Sequence, residues 1–191
     1  MESAKGYEDT QDRFYFVGFL CPKVNDREVI ICRKSDEYAE FPEESRSFFE
    51  DISKISTYEE ALKIFNKYDS DESSIDLLEK DGYFVRIPKI LTVEQFNSIF
   101  KSISFVSTNG TKTDYVGEAL STLVSPLDNS IVPVPTTIVN FLSISDGSLS
   151  VFEMLNKISD GDDEINQMLI HHILGVLPET QRKRATALIG V

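Results

Sequence analysis

Cysteine, long apolar runs and targeting features are scarce or missing in this sequence of 191 residues. Its two cysteines, Cys21 and Cys32, are too few for a secreted disulfide scaffold, which is rich in cysteine and usually smaller. The longest apolar run, near residues 14–20, is far too short to cross a bilayer. Residues 1–12 are polar and mildly acidic, unlike a signal or transit peptide. The sequence therefore predicts a cytoplasmic protein with a disordered N-terminal tail.

Basic residues are also scarce, because the chain has 19 of them against 32 acidic residues and a formal net charge of -13. A negative field repels nucleic-acid phosphates and anionic lipids, so we expect neither direct nucleic-acid binding nor membrane binding. The same field attracts basic proteins, although the charge would also serve solubility alone. We expect a monomer or a homodimer whose partner is a basic protein or peptide.

The sequence lacks the common motifs of catalysis and cofactor binding. It contains no GxxxxGK[ST] or GxGxxG pattern for phosphates and no GxSxG nucleophile elbow. The only histidines, His171 and His172, are adjacent, and adjacent side chains on a helix point about 100° apart, so they cannot share one ion. We expect His172 to pack against the core and His171 to face solvent. The prediction is therefore no catalytic residue, no metal and no cofactor.

One acidic stretch has part of the pattern of a metal site. Asp69 and Asp71 resemble the opening of a calcium-binding EF-hand loop. The sixth position of that loop, however, is Ser74 instead of Gly, and the twelfth is Lys80 instead of a bidentate Glu. We therefore expect no calcium site here.

Aromatic residues are abundant, with 13 Phe and 7 Tyr, and these large side chains argue for an ordered core. Residues 13–21 are apolar on both faces, which indicates a strand inside a sheet. Residues 27–34 predict a second strand in a hairpin with the first, and the two cysteines on these strands are expected to be reduced and buried. Residues 35–42 predict an acidic loop, and residues 83–87 a third strand.

Three capping boxes mark the starts of helices. Thr57, Thr92 and Ser150 each precede a Glu or Gln by three positions, and in this motif the two side chains satisfy exposed amides reciprocally. The apolar spacing after Thr57 places Phe65 in the core. The helix after Thr92 is expected to extend to Ile103, and another helix is predicted over residues 43–55.

Beyond residue 107 the pattern changes. We expect a polar loop over residues 107–113, a short helix over residues 115–124 and an extended connector over residues 125–135, where two prolines exclude helix. Residues 136–191 predict a small, nearly all-helical module. Its last long helix is expected to end at Pro178.

Together these segments predict an α+β fold, with mainly antiparallel sheet and helices on one face in the N-terminal part and a mostly helical C-terminal part. Residues 13–124 would form the α+β domain, residues 125–135 the connector and residues 136–191 the helical module. Packing of both parts into one domain is the alternative.

A leucine-containing apolar segment, an Asp-Gly turn and a serine-capped helix follow one another over residues 141–155. In these features the stretch resembles the small winged-helix modules of the peptide-chaperone type that occur in peptide-modifying systems. The resemblance implies a second helix over residues 165–177 and a winged-helix-like, peptide-binding C-terminal part.

The composition favours a non-catalytic acidic protein that binds and modulates a basic protein partner, as immunity proteins, inhibitors and nucleic-acid mimics do. A peptide-binding or regulatory winged-helix-like module is the alternative hypothesis, and a small enzyme is the third. Carboxylates in predicted loops and helix starts are the candidate partner-binding residues, with an ordinary solvated surface as the competing interpretation. These residues are Asp36, Glu37, Glu40, Glu43, Glu44, Asp69, Asp71 and Glu72.

Overall fold

The computed structural model describes residues 12–21, 28–34, 37–68, 72–108, 110–126 and 128–191. Over these residues the fold is α+β, as the sequence predicts, with seven α-helices and ten strands. The strands are β1 (Arg13–Phe16), β2 (Phe19–Leu20), β3 (Glu28–Cys32), β4 (Tyr38–Pro42), β5 (Phe84–Ile87), β6 (Ile103–Ser107), β7 (Lys112–Tyr115), β8 (Leu120–Val124), β9 (Ile131–Pro135) and β10 (Thr186–Gly190). The helices are α1 (Arg46–Ile52), which follows a 3-10 turn (Glu43–Ser45), α2 (Tyr58–Lys67), α3 (Glu72–Lys80), α4 (Val93–Phe100), α5 (Thr136–Ile144), α6 (Val151–Ser159) and α7 (Asp163–Arg182).

The described strands form four small antiparallel sheets. β1 pairs with β5, β3 lies between β2 and β4, and β8 lies between β7 and β9. The closing strand β10 pairs with β6, which places Ala187 opposite Val106. A single parallel bridge from Val17 to Leu188 joins the end of β1 to β10. The C-terminal segment is thereby attached to the middle and to the beginning of the chain.

Strand β1 lies between two hydrophobic cores. Because successive side chains of a strand point to opposite faces, Phe14 and Phe16 enter one core, whereas Tyr15 and Val17 enter the other. The prediction that this strand is buried on both faces is confirmed. The first core, called the aromatic core below, contains Phe14, Phe16, Val29, Ile31, Phe49, Ile52, Ile55, Ala61, Phe65, Ile75 and Phe84. The second, called the main core, gathers side chains from β1, β5, β6, β8, β9, β10 and helices α4 to α7.

Gly18 divides the single strand that the sequence predicts over residues 13–21. Its φ of +139° is a conformation that other residues rarely adopt, and a Cβ there would lie 3.0 Å from the carbonyl oxygen of Cys32. The chain bends at this point, so that β1 pairs with β5 while β2 pairs with β3. Only the second half of the predicted strand forms the predicted hairpin.

The capping boxes are confirmed at all three positions. The side chains of Thr57, Thr92 and Ser150 each accept a hydrogen bond from the amide three residues later, and their own amides donate the reciprocal bond to the Glu or Gln side chain there. Phe65 is buried in the aromatic core, as the apolar spacing predicts. Ile103, however, starts β6 and does not extend α4.

Several segments that the sequence does not predict as strands form strands. Residues 38–42, predicted as a loop, form β4, in which Ala39 and Phe41 are less exposed than their neighbours. Residues 115–124, predicted as a helix, contain the end of β7 and all of β8. The extended residues 131–135 pair as β9, and the chain closes in β10. The C-terminal part, residues 136–191, is therefore less helical than expected, because its last residues pair with β6 as β10.

The prediction that the last helix ends at Pro178 is wrong, since α7 continues to Arg182. Proline has no amide hydrogen, so the carbonyl of Leu174 lacks its usual partner four residues along the helix. The guanidinium of Arg13, at the start of β1, donates a hydrogen bond to that carbonyl. This distant contact replaces the missing helical bond.

The main core combines residues from both sides of the predicted connector, from Tyr15 through Phe105 to Leu188. Helix α6 follows the Asp-Gly turn, and α7 covers the residues at which the resemblance implies a second helix. The division into two domains and the winged-helix resemblance stay predictions.

Candidate partner-binding site

The structure describes only part of the predicted acidic set. Asp36, Asp69 and Asp71 lie outside the described residues, and so does the side chain of Glu72, whose backbone begins α3. The other four carboxylates lie on a continuous stretch of chain, from the residue before β4 to the 3-10 turn after it: Glu37, Glu40, Glu43 and Glu44.

Two of these four carboxylates are already paired with cations. Glu43 accepts two bonds from the guanidinium of Arg46, one from Nε at 2.7 Å and one from Nη2 at 2.9 Å. Glu37 lies 3.4 Å from Arg33 Nη1 and 3.2 Å from Lys34 Nζ. Their charges are largely compensated, so Glu37 and Glu43 contribute little to attracting a partner.

The other two carboxylates are exposed and have no ion pair within the described parts of the chain. Glu40 alternates with Phe41 along β4, so the two side chains point to opposite faces of the strand. Glu44 follows in the 3-10 turn, beside α1. The structure thus separates the predicted acids: Glu44 lies on the side of Phe41 and Glu40 on the other.

Glu44 forms part of the rim of a groove of about 540 Å³, which we call the aromatic groove. Helices α1, α2 and α3 and strand β4 supply its walls, and the exposed Leu77 also lies on it. Its lining is mostly aromatic and apolar, and it is continuous with the aromatic core through Phe49, Phe65 and Phe84. The half-buried rings that face it are Phe41, Phe48, Tyr68 and Tyr83.

Ring contacts hold these walls in place. Phe48 meets Phe65 and Tyr68 edge to face, with ring centroids 5.2 and 5.6 Å apart. Phe41 packs on Phe49 with centroids 4.5 Å apart. Such pairs contribute about 0.5–1.5 kcal/mol each beyond the burial of their area. The groove is therefore formed before any partner arrives.

An ion pair fixes the orientation of Tyr68. Asp51 accepts a hydrogen bond from Lys67 Nζ at 2.6 Å and one from the Tyr68 hydroxyl at 3.2 Å. The bond from Lys67 is the main reason that the pKa of Asp51 is lowered, and the bond from Tyr68 adds to it. Asp51 is thus ionised and occupied, which leaves Glu44 as the exposed carboxylate on the groove rim.

The two cysteines lie on or directly after neighbouring strands of one sheet. Cys32 lies opposite Phe19 on neighbouring strands, and the amide of Cys21 donates to the Ile30 carbonyl, as expected for cysteines on a hairpin. Both are free thiols, but only Cys32 is buried as predicted, whereas Cys21 is half-buried. Burial raises the pKa of Cys21 and raises that of Cys32 to about 11, so both thiols are protonated near neutral pH.

The two histidines take the positions that the sequence predicts. His171 is exposed, and His172 is half-buried with its Nδ1 atom 2.8 Å from the hydroxyl of Thr137.

Among the described residues no group of three His, Cys, Asp or Glu side chains is placed to hold a metal ion. No described helix is both long and apolar enough to cross a membrane.

No protein-family model, curated protein or solved structure matches the chain. The site therefore has to be interpreted from its own geometry. A mostly aromatic groove with a carboxylate on its rim can bury an apolar side chain while the carboxylate and the ring faces attract a neighbouring cation.

Sequence reasoning found Glu44 but missed the aromatic groove. The available signal was the density of aromatic residues over residues 38–68, where Tyr38, Phe41, Phe48, Phe49, Tyr58, Phe65 and Tyr68 occur. Periodicity assigns these residues to a core and cannot show that some of them line an open surface.

Proposed function

We propose that this chain is a non-catalytic cytoplasmic protein that binds and modulates a basic protein partner, in the manner of an immunity protein, an inhibitor or a nucleic-acid mimic. The partner inserts an apolar or aromatic side chain into the aromatic groove and places a basic residue beside Glu44. The observation that supports this most directly is the position of an exposed carboxylate on the rim of a preformed aromatic groove.

The negative charge and the aromatic groove would contribute to binding in different ways. A net charge of -13 increases the encounter rate with a basic partner, and this effect falls as salt screens the field. Buried aromatic and apolar anchors supply most of the binding free energy at protein interfaces, whereas a rim charge acts mainly on association rate. A groove of about 540 Å³ has room for one or two large side chains.

The first experiment is affinity purification of the tagged chain from its own cells at low and then at high salt. A basic protein that is retained at low salt, and that rebinds as a purified protein, is the expected result. A partner of acidic character, or one whose binding is unaffected by salt, would contradict the proposal.

The second experiment measures the association rate of that partner with two matched variants, Glu44→Gln and Glu94→Gln. Both residues are exposed acids near a helix start, and each substitution removes one negative charge. Only Glu44 lies on the groove, so E44Q should slow association by about threefold to tenfold at low salt while E94Q changes it little. Equal effects would favour solubility as the sole purpose of the charge.

A second candidate function is the binding of an extended peptide along β7. Within the described residues β7 pairs only with β8, all four of its side chains are exposed, and it contains no proline. The opposite edge strand, β9, has prolines at positions 133 and 135, which hinder pairing. An open strand edge is suited to the addition of a peptide strand.

Hydrogen exchange distinguishes the two candidates. A peptide added to β7 would protect those amides of residues 112–115 that do not bond to β8, and would leave the aromatic groove unaffected. Protection confined to helices α1 to α3 supports the first candidate.

A further inference from the structure

A second cavity, of about 340 Å³, lies between the N-terminal strands and the end of α7. We call it the Arg184 cavity. Phe19 and Leu20 of β2 form part of its apolar wall, and Ala187 of β10 adds to it. Arg184 and Gln181 supply polar groups. The cavity shares no lining residue with the aromatic groove, so its use is independent of the function proposed above.

Arg184 is a half-buried cation that forms no ion pair with a carboxylate of the described residues, although Glu50 and Asp51 lie near enough to attract it. Its Nη2 atom donates a hydrogen bond of 2.7 Å to the main-chain carbonyl of Glu50, but no carboxylate of the described residues lies within ion-pair distance of it. Its Nε atom is buried and has no hydrogen-bond partner in the described parts of the chain. Burial lowers the pKa of this guanidinium, which is the expected effect of removing a cation from water without full compensation. An arginine in this state attracts an anion.

The backbone of Arg184 supports a role for its side chain. The residue follows the end of α7 in the left-handed conformation, with φ +54°. Its amide bonds to the Gln181 carbonyl and the amide of Ala185 bonds to the Thr180 carbonyl, both at 2.8 Å, which is the Schellman pattern. Glycine usually occupies this position because a side chain is strained there. The strain is accounted for if the guanidinium is needed in the cavity.

Gln181 adds an unfilled acceptor to the same wall. Only 3% of the residue is exposed, and its Nε2 atom donates to the Phe16 carbonyl at 2.7 Å. That bond orients the amide, so Oε1 is the remaining group, and Oε1 is buried without a partner in the described residues. A ligand hydroxyl or amine that reached Oε1 would complete its hydrogen bonding.

We propose that the Arg184 cavity binds a small organic oxyanion, a carboxylate or a phosphate ester, that also has a hydroxyl or amine donor. The oxyanion pairs with the guanidinium of Arg184, the donor reaches Gln181, and the carbon skeleton contacts the apolar wall at Phe19 and Ala187. Two further charged residues line the cavity. Arg46 is already paired with Glu43, so it adds little positive charge, and the negative charge of Glu50 works against an anionic ligand.

The overall negative charge of the chain works against an anionic ligand. Salt screens that distant repulsion over about 8–10 Å, whereas a contact inside the cavity is screened much less. A charge-assisted bond to a guanidinium is also stronger than a neutral one. We therefore expect weak but specific binding, with a dissociation constant of about 0.1–1 mM.

Titration calorimetry with the purified full chain tests the proposal with three probes: lactate, glycerol 3-phosphate and inorganic phosphate, with glycerol as the uncharged control. The NMR signal of the Arg184 Nε–H group reports whether binding occurs at this residue. We expect lactate or glycerol 3-phosphate to bind and to shift that signal, and glycerol to do neither. Lactate alone identifies a carboxylate site and glycerol 3-phosphate alone a phosphate-ester site. No binding of any probe at about 10 mM would overturn the proposal.

Arg184→Gly is the decisive variant, because glycine prefers the backbone conformation at this position and should preserve the fold. We expect it to weaken probe binding at least about tenfold. The control, Arg182→Gln, removes the same charge two residues away, from an exposed arginine that does not line the cavity, and should leave binding within about twofold. If R184G does not fold, Arg184→Asn serves instead, since asparagine tolerates the left-handed conformation and removes the charge. Unchanged binding in the folded Arg184 variant, or an equal loss in R182Q, would overturn the assignment.

Discussion

The aromatic core and the main core differ in composition and in whether they extend into an open groove. Five of the eleven buried residues of the aromatic core are phenylalanine, and half-buried aromatic rings extend it into an open groove. The main core is larger, its buried residues are mostly aliphatic, and helices α4 to α7 and three sheets contribute to it. The comparison teaches that one core is closed, whereas the other extends to the surface as an open groove, which is the docking site that we propose.

Strand β1 explains how both cores coexist in one chain. Its alternating side chains supply Phe14 and Phe16 to the aromatic core and Tyr15 and Val17 to the main core. Any change that moved the register of β1 by one residue would exchange these two sets. The contacts at the two ends of β1, Arg13 with α7 and Gly18 with β10, therefore matter to both cores.

The largest expected effect comes from truncating a fully buried ring in either core. Phe105→Ala in the main core and Phe65→Ala in the aromatic core should each reduce the free energy of unfolding by about 3–5 kcal/mol. Phe48→Ala, at the groove, should cost less, about 1–2 kcal/mol, because water can enter the space that the ring leaves. Denaturant melts measure all three. If Phe48→Ala and Phe105→Ala reduced the free energy of unfolding equally, the aromatic core would not differ from the main core in being open to water.

The junction between β1 and β2 is the next most sensitive position. Gly18→Ala places a Cβ 3.0 Å from the Cys32 carbonyl oxygen in a conformation that alanine avoids, so we expect a loss of about 1–3 kcal/mol. Gly175→Ala is the control, because a Cβ at this helical position meets nothing within 4 Å. That substitution should be neutral or stabilising, as it raises helix propensity. If Gly18→Ala left the free energy of unfolding unchanged, the fold would not depend on the bend between β1 and β2.

A double-mutant cycle tests the contact between β1 and α7. Arg13→Gln should destabilise the chain by about 1–3 kcal/mol, because the Leu174 carbonyl loses its donor. Pro178→Ala returns an amide hydrogen to the helix at the position that bonds Leu174. The cost of R13Q should therefore be smaller in the P178A background by about 1 kcal/mol. Additive effects in thermal or denaturant melts would show that Arg13 does not compensate for the proline.

Local features of the fold could be predicted from the sequence, and long-range ones could not. The capping boxes at Thr57, Thr92 and Ser150 were identifiable because their partners lie three residues away. Strands β4, β8 and β10 were missed because their stability comes from pairing with distant strands. The continuation of α7 past Pro178 depends on Arg13, a residue 161 positions from the carbonyl that it bonds.

The candidate site could be predicted in charge but not in arrangement. The excess of carboxylates is visible in composition, whereas the pairing of Glu43 with Arg46 and of Glu37 with Arg33 depends on side-chain geometry. The position of Glu44 beside the aromatic rings depends on the packing of three helices. No feature of the sequence indicates a role for Arg184, because only the fold reveals its left-handed backbone and the cavity that it lines.

Site-specific photo-crosslinking tests the central claim, that the partner docks at the aromatic groove, most directly. The crosslinking amino acid p-benzoylphenylalanine is introduced either at Leu77, on the groove, or at Ile144, on helix α5, in the presence of the purified basic partner. The two positions are similarly exposed, at 58% and 53%, so accessibility alone does not favour either of them. We predict a crosslink to the partner from position 77 and none from position 144. A crosslink from position 144 alone, or from neither position, would contradict docking at the groove.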